Sequence, residues 1–329
     1  MNIQTPLLSL IIPSYTMERL NDILALLTSV SAQSYANMET ILIIERSEEL
    51  YSRINQFLKE KQIYNTLVYF TKERLGPSGA RNAGVERARG EIIAFVDDDT
   101  VLFPDWAAKV VEVFRGKDII GVTGQALPLW ENGALQWLPT EFYWLVSCTA
   151  FLNINEIKPV RCAGGMNMAF KKEAFSYCMF ADKFGHQGEI KTKVGPVVDD
   201  AEFSINLRLK SAKQIIFDPD IKVWHRVYAY RLNQRFIRGQ SYWQGYSKSL
   251  LKKAYPHDSD LQGLNREKDL LKRIFLKLIP KTTVLIFKNP QQAFKTLGLT
   301  ASVLFYVALG FSAHKTPRLT GFTEKYFSP

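Results

Sequence analysis

Residues 74–100, RLGPSGARNAGVERARGEIIAFVDDDT, run from a glycine-rich segment with a helical stretch at 78–89 into a short apolar strand at 92–96. Three consecutive aspartates then follow. Like charges repel, and no lysine or arginine adjoins Asp97, Asp98 and Asp99 in sequence to neutralise them. Upstream, the same alternation recurs. A β-rich run at 7–12 ends at Pro13. Residues 18–33 carry Leu20, Ile23, Leu24 and Leu27 on one helical stripe, 40–44 reads as strand, 48–61 as helix and 67–70 as strand. Strand and helix alternate at the pace of βαβ units, which predicts a parallel, doubly wound sheet. Continuous apolar strands such as LLSLII and TILII fit a sheet covered on both faces.

In open α/β sheets ligands sit beyond the carboxyl ends of the strands. Pro13-Ser14-Tyr15, Glu45-Arg46 and the three aspartates each follow a strand and so can converge on one crevice. Downstream, 104–114 reads as helix. Residues 124–165 are rich in Pro, Trp and Gly and read as an irregular aromatic wall. GGMNMAF at 164–170 follows, then a helix at 199–210, and IIFDPDIKVWH supplies two short strands. From residue 230 the chain is helical and basic, and no internal repeat is evident.

At 329 residues the chain is long enough for one large domain or a domain with an appendage. Its net charge of +10 is unevenly placed. Residues 1–225 hold 24 Lys/Arg against 27 Asp/Glu, whereas 226–295 hold 15 against 4. The basic excess therefore belongs to the C-terminal third, where it can face phosphates or an anionic membrane. Cys148, Cys162 and Cys178 lack metal-like spacing and read as idle thiols of a reducing compartment. The apolar start of the chain reads as a first strand rather than a secretory signal.

Aspartates at i and i+2 after a strand can hold a hard divalent cation that bridges nucleotide phosphates. A solvated acidic turn is the other reading of this triplet alone. Gly76, Gly79 and Gly84 surround Arg81 and Asn82, letting backbone approach a ligand while two polar side chains point at it. A loop and helix cap would explain the glycines without calling for Arg and Asn together.

LSLIIPSY, GPSGARNAGVERARGEIIAFVDDD, GGMNMAF and DDAEF, in this order across about residues 7–225, together resemble the family 2 glycosyltransferases. ERSEELYSRI, LPLW, LPTEFYW and RGQSYWQGYSKS bring the chain nearer to the branch with archaeal glucuronosyltransferases that extend dolichyl-phosphate-linked sugars. The resemblance implies a GT-A nucleotide-diphosphosugar transferase fold, α/β with a doubly wound mixed sheet. It implies a catalytic domain over 1–225 (1–100 nucleotide-binding, 101–225 acceptor half) and a basic, membrane-associating helical region over 226–329. Asp97 and Asp99 match the family's DxD signature. Asp99 would ligate Mn²⁺ or Mg²⁺ on the donor diphosphate, with Asp97 near the ribose or metal and Asp98 among the donor-binding residues. Pro13, Ser14 and Tyr15 would line the nucleotide pocket with Glu45, which replaces the usual Asp, while Arg81 and Asn82 fall where the family contacts the nucleotide.

Asp200 matches the second position of the family's acidic pair, the catalytic base, with Asp199 as the first. A carboxylate opposite the anomeric carbon can accept the proton of the attacking hydroxyl. An acidic first turn stabilised by the helix dipole is what Asp199, Asp200 and Glu202 would otherwise mean. His225 falls where several members of the fold supply a third metal ligand, although a lone histidine also serves as a packed residue. Gly165, Asn167, Trp130 and Trp144, with Asp199, fall on the acceptor or sugar side. Aromatic faces stack on sugars but also fill cores. Arg235 and Arg238 are candidates for phosphate contacts, with a solvated helix face as the alternative.

Residues 265–295 mix aliphatic and basic residues at helical spacing, the pattern of a helix in the membrane interface. Residues 296–313 run without a charge at the lower limit for a span, so spanning, dipping and packing on the domain stay open. The sequence is thus expected to specify an inverting transferase on the cytoplasmic face of a membrane. It would move a glucuronosyl or hexosyl unit from a UDP-type donor to a polyprenyl- or dolichyl-phosphate-linked saccharide. A catalytically silent nucleotide-sugar-binding scaffold and a transferase with a non-lipid acceptor are the alternatives. A sugar nucleotidyltransferase is disfavoured because PSYTMERL stands where such enzymes carry a glycine-rich loop. A processive synthase is disfavoured by the missing Gln-x-x-Arg-Trp signature. Nucleic acid is not an expected partner, because the basic stretch is interleaved with aliphatic residues.

Overall fold

The structure is a computed structural model that describes residues 5–116, 118–181 and 198–315. It divides into two compact units. The first takes the described residues up to Leu127, those from Ile154 to 181, and Asp199–Arg226; the second takes Pro128–Asn153, Val198 and Val227 to 315. The aromatic segment after residue 127, placed by the sequence reading with residues 1–225, thus packs within the second unit.

The first unit is built on a nine-stranded sheet. Its strands are β1 (Leu8–Ser14), β2 (Met38–Glu45), β3 (Thr66–Thr71), β4 (Ile92–Phe95), β5 (Thr100–Leu102), β6 (Ile119–Trp130), β7 (Lys158–Val160), β8 (Met168–Lys171) and β9 (Gln214–Val227). The order is β3-β2-β1-β4-β8-β6-β9-β5, with β7 paired to β9. The strands from β3 to β4 are parallel, as the βαβ rhythm requires, but β8 runs antiparallel to both β4 and β6. The sheet is therefore mixed, as the family resemblance implied.

Side chains alternate across β1 and β2 into two cores, because successive residues of a strand point to opposite faces. Leu8, Leu10, Ile12, Leu42 and Ile44 join one core, and Ile11, Ile41 and Ile43 the other. Helices α1 (Leu20–Ser31), α2 (Glu48–Glu60) and α4 (Trp106–Val113) cover the first face. Helices α3 (Gly76–Arg87), α5 (Ala174–Tyr177) and α6 (Asp199–Ser211) cover the second. In α1 the buried Ile23, Leu26 and Leu27 set the helix in place. Each such burial contributes about 1.5–3 kcal/mol, more than the propensity differences of ~0.7 kcal/mol among ordinary residues. Ser47 starts α2 by accepting the amide of Leu50.

Two segments differ from the sequence reading. Residues 119–130 form one twelve-residue strand, although Pro128 and Trp130 suggested irregular chain. IIFDPDIKVWH lies within the single strand β9. Its Pro219 falls between the pairings of β7 with 215–217 and of β5 with 223–225, so neither of these two ladders includes it.

The second unit holds α7 (Gln234–Ala254), α8 (Ser259–Gly263), α9 (Asn265–Arg273), a π-helical turn at Ile274–Leu278, α10 (Ile279–Leu285) and α11 (Pro290–Ala313). Short 3₁₀ turns at Gly133–Leu135, Thr140–Val146 and Ala150–Leu152 complete it. Its apolar core joins Phe142, Leu145 and Val146 to Ile237, Ile274, Leu299 and Val303.

Candidate active site

The site grows from strand ends. The parallel register of β1 and β4 pairs Ile11 with Phe95, so both strands deliver their carboxyl ends to one edge. Ser14 Oγ there donates to Asp98 Oδ2 at 2.5 Å. The antiparallel register of β5 and β9 sets Thr100 opposite His225, and the amide of Arg226 donates to the Asp99 carbonyl at 3.0 Å. His225 Nε2 lies 3.2 Å from Asp99 Oδ1, with both side chains almost fully buried.

The aspartates, without a cation beside them in sequence, are met by two arginines that the fold brings in. Arg19, in the 3₁₀ turn after β1, places Nη1 3.2 Å from Asp99 Oδ2 and Nε 3.8 Å from Asp98 Oδ1. Its Nη1 also lies 3.4 Å from Asp22 Oδ2, whose other oxygen is 2.9 Å from Arg226 Nε. Arg81, buried on α3, places Nη2 3.4 Å from Asp97 Oδ1 and Nη1 2.5 Å from Asp199 Oδ2. The sequence reading left the triplet's charge to a bound cation alone; the structure answers part of it with guanidinium groups. Burial, reinforced by Asp99, still pushes the Asp98 carboxyl up to about 7, against the opposing pull of Ser14 and Arg19.

Arg81 ties this edge to the start of α6. Asp199 is 1 % exposed and also accepts from Ser78 Oγ at 3.3 Å. Asp200 Oδ2 accepts the Gly165 amide at 2.9 Å, and its Oδ1 accepts the Ala201 amide at 2.7 Å. Burial and the neighbouring Asp199 push the Asp200 carboxyl up to about 6, while Arg81 and the two amides pull it back. A side chain at position 165 would press on the Arg81 guanidinium. A Cβ there would stand 2.8 Å from Arg81 Nη2 and 3.6 Å from Asp200 Oδ2.

Other residues named from the sequence are held by the protein itself. Glu45 Oε2 accepts the amides of Leu75 and Gly76 at 2.8 and 3.2 Å, capping the start of α3. The Asn82 amide clasps the Phe180 backbone through bonds of 2.9 and 3.0 Å. Asn167 is 1 % exposed, accepts from Trp106 Nε1 and donates to the carbonyls of Gln125 and Ile221, a structural knot beneath the site. Pro13 lies within β1, and Tyr15 just beyond it is 68 % exposed. Trp130, Trp144, Arg235 and Arg238 belong to the second unit. There Trp130 meets Tyr143 edge-on at 5.7 Å, and Trp144 packs against the apolar core. Arg235 and Arg238 are exposed on α7, and Arg238 Nη2 donates to Gln234 at 3.0 Å. The three cysteines are free, and burial pushes the Cys178 thiol up to about 11, so it stays protonated at neutral pH.

Arg19, Asp22 and Arg226 were missed in the sequence. Arg19 and Asp22 stand three apart at a helix start, a spacing that pairs side chains, but nothing local ties them to residues 97–99.

Asp97, Asp99 and His225 each offer a ligand atom, and these atoms lie within 4.8 Å of one another. His225 Nδ1 is buried without a hydrogen-bond partner among the described residues. Two carboxylates and an imidazole fit a divalent cation of the manganese or magnesium kind.

The family described as Glycosyl transferase family 2 matches residues 9–178, which is more than half the chain. A glucosyl-dolichyl phosphate glucuronosyltransferase of Haloferax volcanii is 27% identical over 305 residues, covering 92% of this chain and 94% of that protein. An uncharacterized glycosyltransferase of Haemophilus influenzae is 39% identical over 103 residues, covering 30% of this chain and 39% of its own. Among solved structures, the mannosyltransferase PcManGT of Pyrobaculum calidifontis, in complex with GDP-Man and Mn²⁺, aligns with a TM-score of 0.57. It is 16% identical and covers 94% of this chain and 88% of its own, a likeness of fold.

Proposed function

The chain belongs to glycosyl transferase family 2 and is a glycosyltransferase, and from this premise we propose an inverting transfer from a nucleotide sugar to a lipid-phosphate-linked saccharide. The observation that carries the reading is Arg81, whose guanidinium joins the cation-ligating edge at Asp97 to the acidic pair Asp199-Asp200. A donor diphosphate and an acceptor hydroxyl thereby share one crevice.

In this reading Asp97, Asp99 and His225 hold a divalent cation, Mn²⁺ or Mg²⁺. When bound, it neutralises the charge growing on the departing diphosphate. Ser14 and Arg19 fix Asp98 and Asp99, and Glu45 fixes the loop that opens α3. Asp200 accepts the proton of the attacking hydroxyl as the new glycosidic C–O bond forms and the bond from the anomeric carbon to the diphosphate breaks on the opposite face. Its carboxyl near 6 suits the task, since it is ionised at neutral pH yet more basic than an ordinary aspartate. Arg81 pairs with Asp199 and so holds the acidic pair in register with Asp97.

The relative from Haloferax volcanii supports a dolichyl- or polyprenyl-phosphate saccharide as acceptor and a glucuronosyl or hexosyl unit as cargo. The UDP-type donor rests on the family resemblance alone. Attachment to the cytoplasmic face of the membrane through the basic region after residue 225 places the enzyme where such an acceptor is presented. The intact acidic pair speaks against a silent scaffold. The test is a screen of UDP-, GDP- and dTDP-sugars for nucleotide release, with Mn²⁺ or Mg²⁺, with and without lipid-phosphate saccharides. Release of one nucleotide that rises with a lipid-linked acceptor supports the reading. Release with soluble sugars alone points to a non-lipid acceptor, and no nucleotide binding at all contradicts it.

A further inference from the structure

α11 has the length and composition to cross a bilayer, but its packing within the second unit speaks otherwise. It lies backbone to backbone with α7. A Cβ on Gly245 would stand 2.0 Å from the Val307 carbonyl, and one on Gly310 1.9 Å from the Tyr242 carbonyl. Arg238 lies over the Tyr306 ring at 5.9 Å, and His314 Nδ1 is 3.0 Å from Ser249 Oγ. α7 therefore accompanies the C-terminal part of α11, residues 306–313, and α7 carries polar groups there. Arg238 and Gln244 are exposed on it, and Lys248 pairs with Glu267 at 2.6 Å. A crossing by α11 would draw Arg238 and its polar neighbours on α7 toward hydrocarbon, where charged side chains are disfavoured.

The same unit carries a surface of another kind. Of the fourteen large hydrophobic residues exposed among the described residues, seven fall between Leu271 and Phe305, and Phe287 is 90 % exposed. Leu271 stands four residues before Phe275, Phe294 and Phe305 share α11 three turns apart, and Val284 on α10 is followed by Phe287 in the turn beyond it. Residues 270–295 also contain six Lys/Arg and no acid, among them the exposed Lys277, Lys281 and Lys288. Exposed aromatic side chains interleaved with unopposed lysines match an anionic bilayer surface: rings enter the interface and ammonium groups meet the headgroups.

We propose that the second unit docks on an anionic bilayer as a monotopic element, through the face formed by residues 271–305, and that α11 does not cross the membrane. This rests on the membrane-acceptor reading above and specifies how the surface is engaged. The lysines supply the preference for anionic lipid, while Phe275, Phe287 and Phe294 supply depth. The α7–α11 pair stays on the side from which the protein approaches.

The experiment adds the full chain to sealed vesicles of phosphatidylcholine, alone or with 30% phosphatidylglycerol, and measures co-flotation. Alongside the natural chain run Phe287→Ser/Phe294→Ser and Lys277→Glu/Lys281→Glu/Lys288→Glu, all at exposed positions that leave the core intact. Gln291→Cys and Lys315→Cys, at the two ends of α11, are treated with a membrane-impermeant maleimide from outside. Flotation should need the anionic lipid and fall at least tenfold in either multiple variant. Both cysteines should label above the natural chain's background without detergent. Labelling of Lys315→Cys only after detergent would overturn the monotopic mode while leaving membrane attachment standing. Unchanged flotation in both multiple variants would overturn the face assigned. No flotation at all would sink this proposal and the membrane part of the proposed function, while nucleotide release in detergent would still report the transferase.

Discussion

Replacing Arg81 with Gln tests the joint on which the site turns. The Arg81 side chain is 8% exposed and that of Asp199 1%, with 2.5 Å between their charged atoms. Screening by water is therefore minor, and the surface-pair value of under ~1 kcal/mol does not apply. Removing one partner of a buried pair leaves an uncompensated charge, which costs about 3–5 kcal/mol. Ser78 Oγ, at 3.3 Å, recovers part of this at most. Urea unfolding should thus show a loss of about 3–5 kcal/mol for Arg81→Gln. Adding Asp199→Asn to that variant should restore stability, because the orphaned charge goes with it. Arg81 also lowers the Asp200 carboxyl, so in the variant the acid limb of kcat/KM should move upward from about pH 6. A loss below ~1 kcal/mol, or a double variant less stable than Arg81→Gln alone, would refute the reasoning.

Gly165→Ala forces a methyl against the Arg81 guanidinium that holds the acidic pair. It should lower kcat about tenfold or more with little change in donor affinity, read by steady-state kinetics and calorimetry. The Asp200 carboxyl is raised from its ordinary value to about 6, and the base must be ionised to work. The natural enzyme's kcat/KM should therefore fall about tenfold per unit as pH drops below 6, a pH–rate profile with one ionisation. Gly310→Ala places a Cβ within 1.9 Å of the Tyr242 carbonyl, so α7 and α11 must part. The cost should be about 1–3 kcal/mol or more, seen as a lower thermal transition.

The parallel half of the sheet was legible because its strands are covered on both faces and so write unbroken apolar runs such as LLSLII and TILII. The long strand β6 was hidden by Pro128 and Trp130, which local propensity assigns to loops. β9 was split at Pro219, whose tolerance depends on where β5 and β7 end, a tertiary fact. At the site, the aspartate turn, His225 and the acidic pair were visible as residue types at strand and helix ends. Arg19 and Asp22 were not, since Arg19's partners Asp98 and Asp99 lie some eighty residues away and Asp22's partner Arg226 some two hundred, brought in by the β1–β4 and β5–β9 pairings. Asn82 and Asn167 looked like ligand contacts because polarity is readable in sequence. Their engagement by backbone groups of distant segments is not.

The most direct measurement compares the natural chain with Asp200→Asn, with and without removal of divalent cations by chelation, in two assays: donor binding by calorimetry and single-turnover nucleotide release with a lipid-phosphate saccharide. The account predicts that chelation abolishes binding in both proteins. It also predicts that, with the cation restored, Asp200→Asn binds donor as the natural chain does but releases nucleotide about 10²–10⁴-fold more slowly. Release by Asp200→Asn at the natural rate, or donor turnover indifferent to chelation, would contradict it.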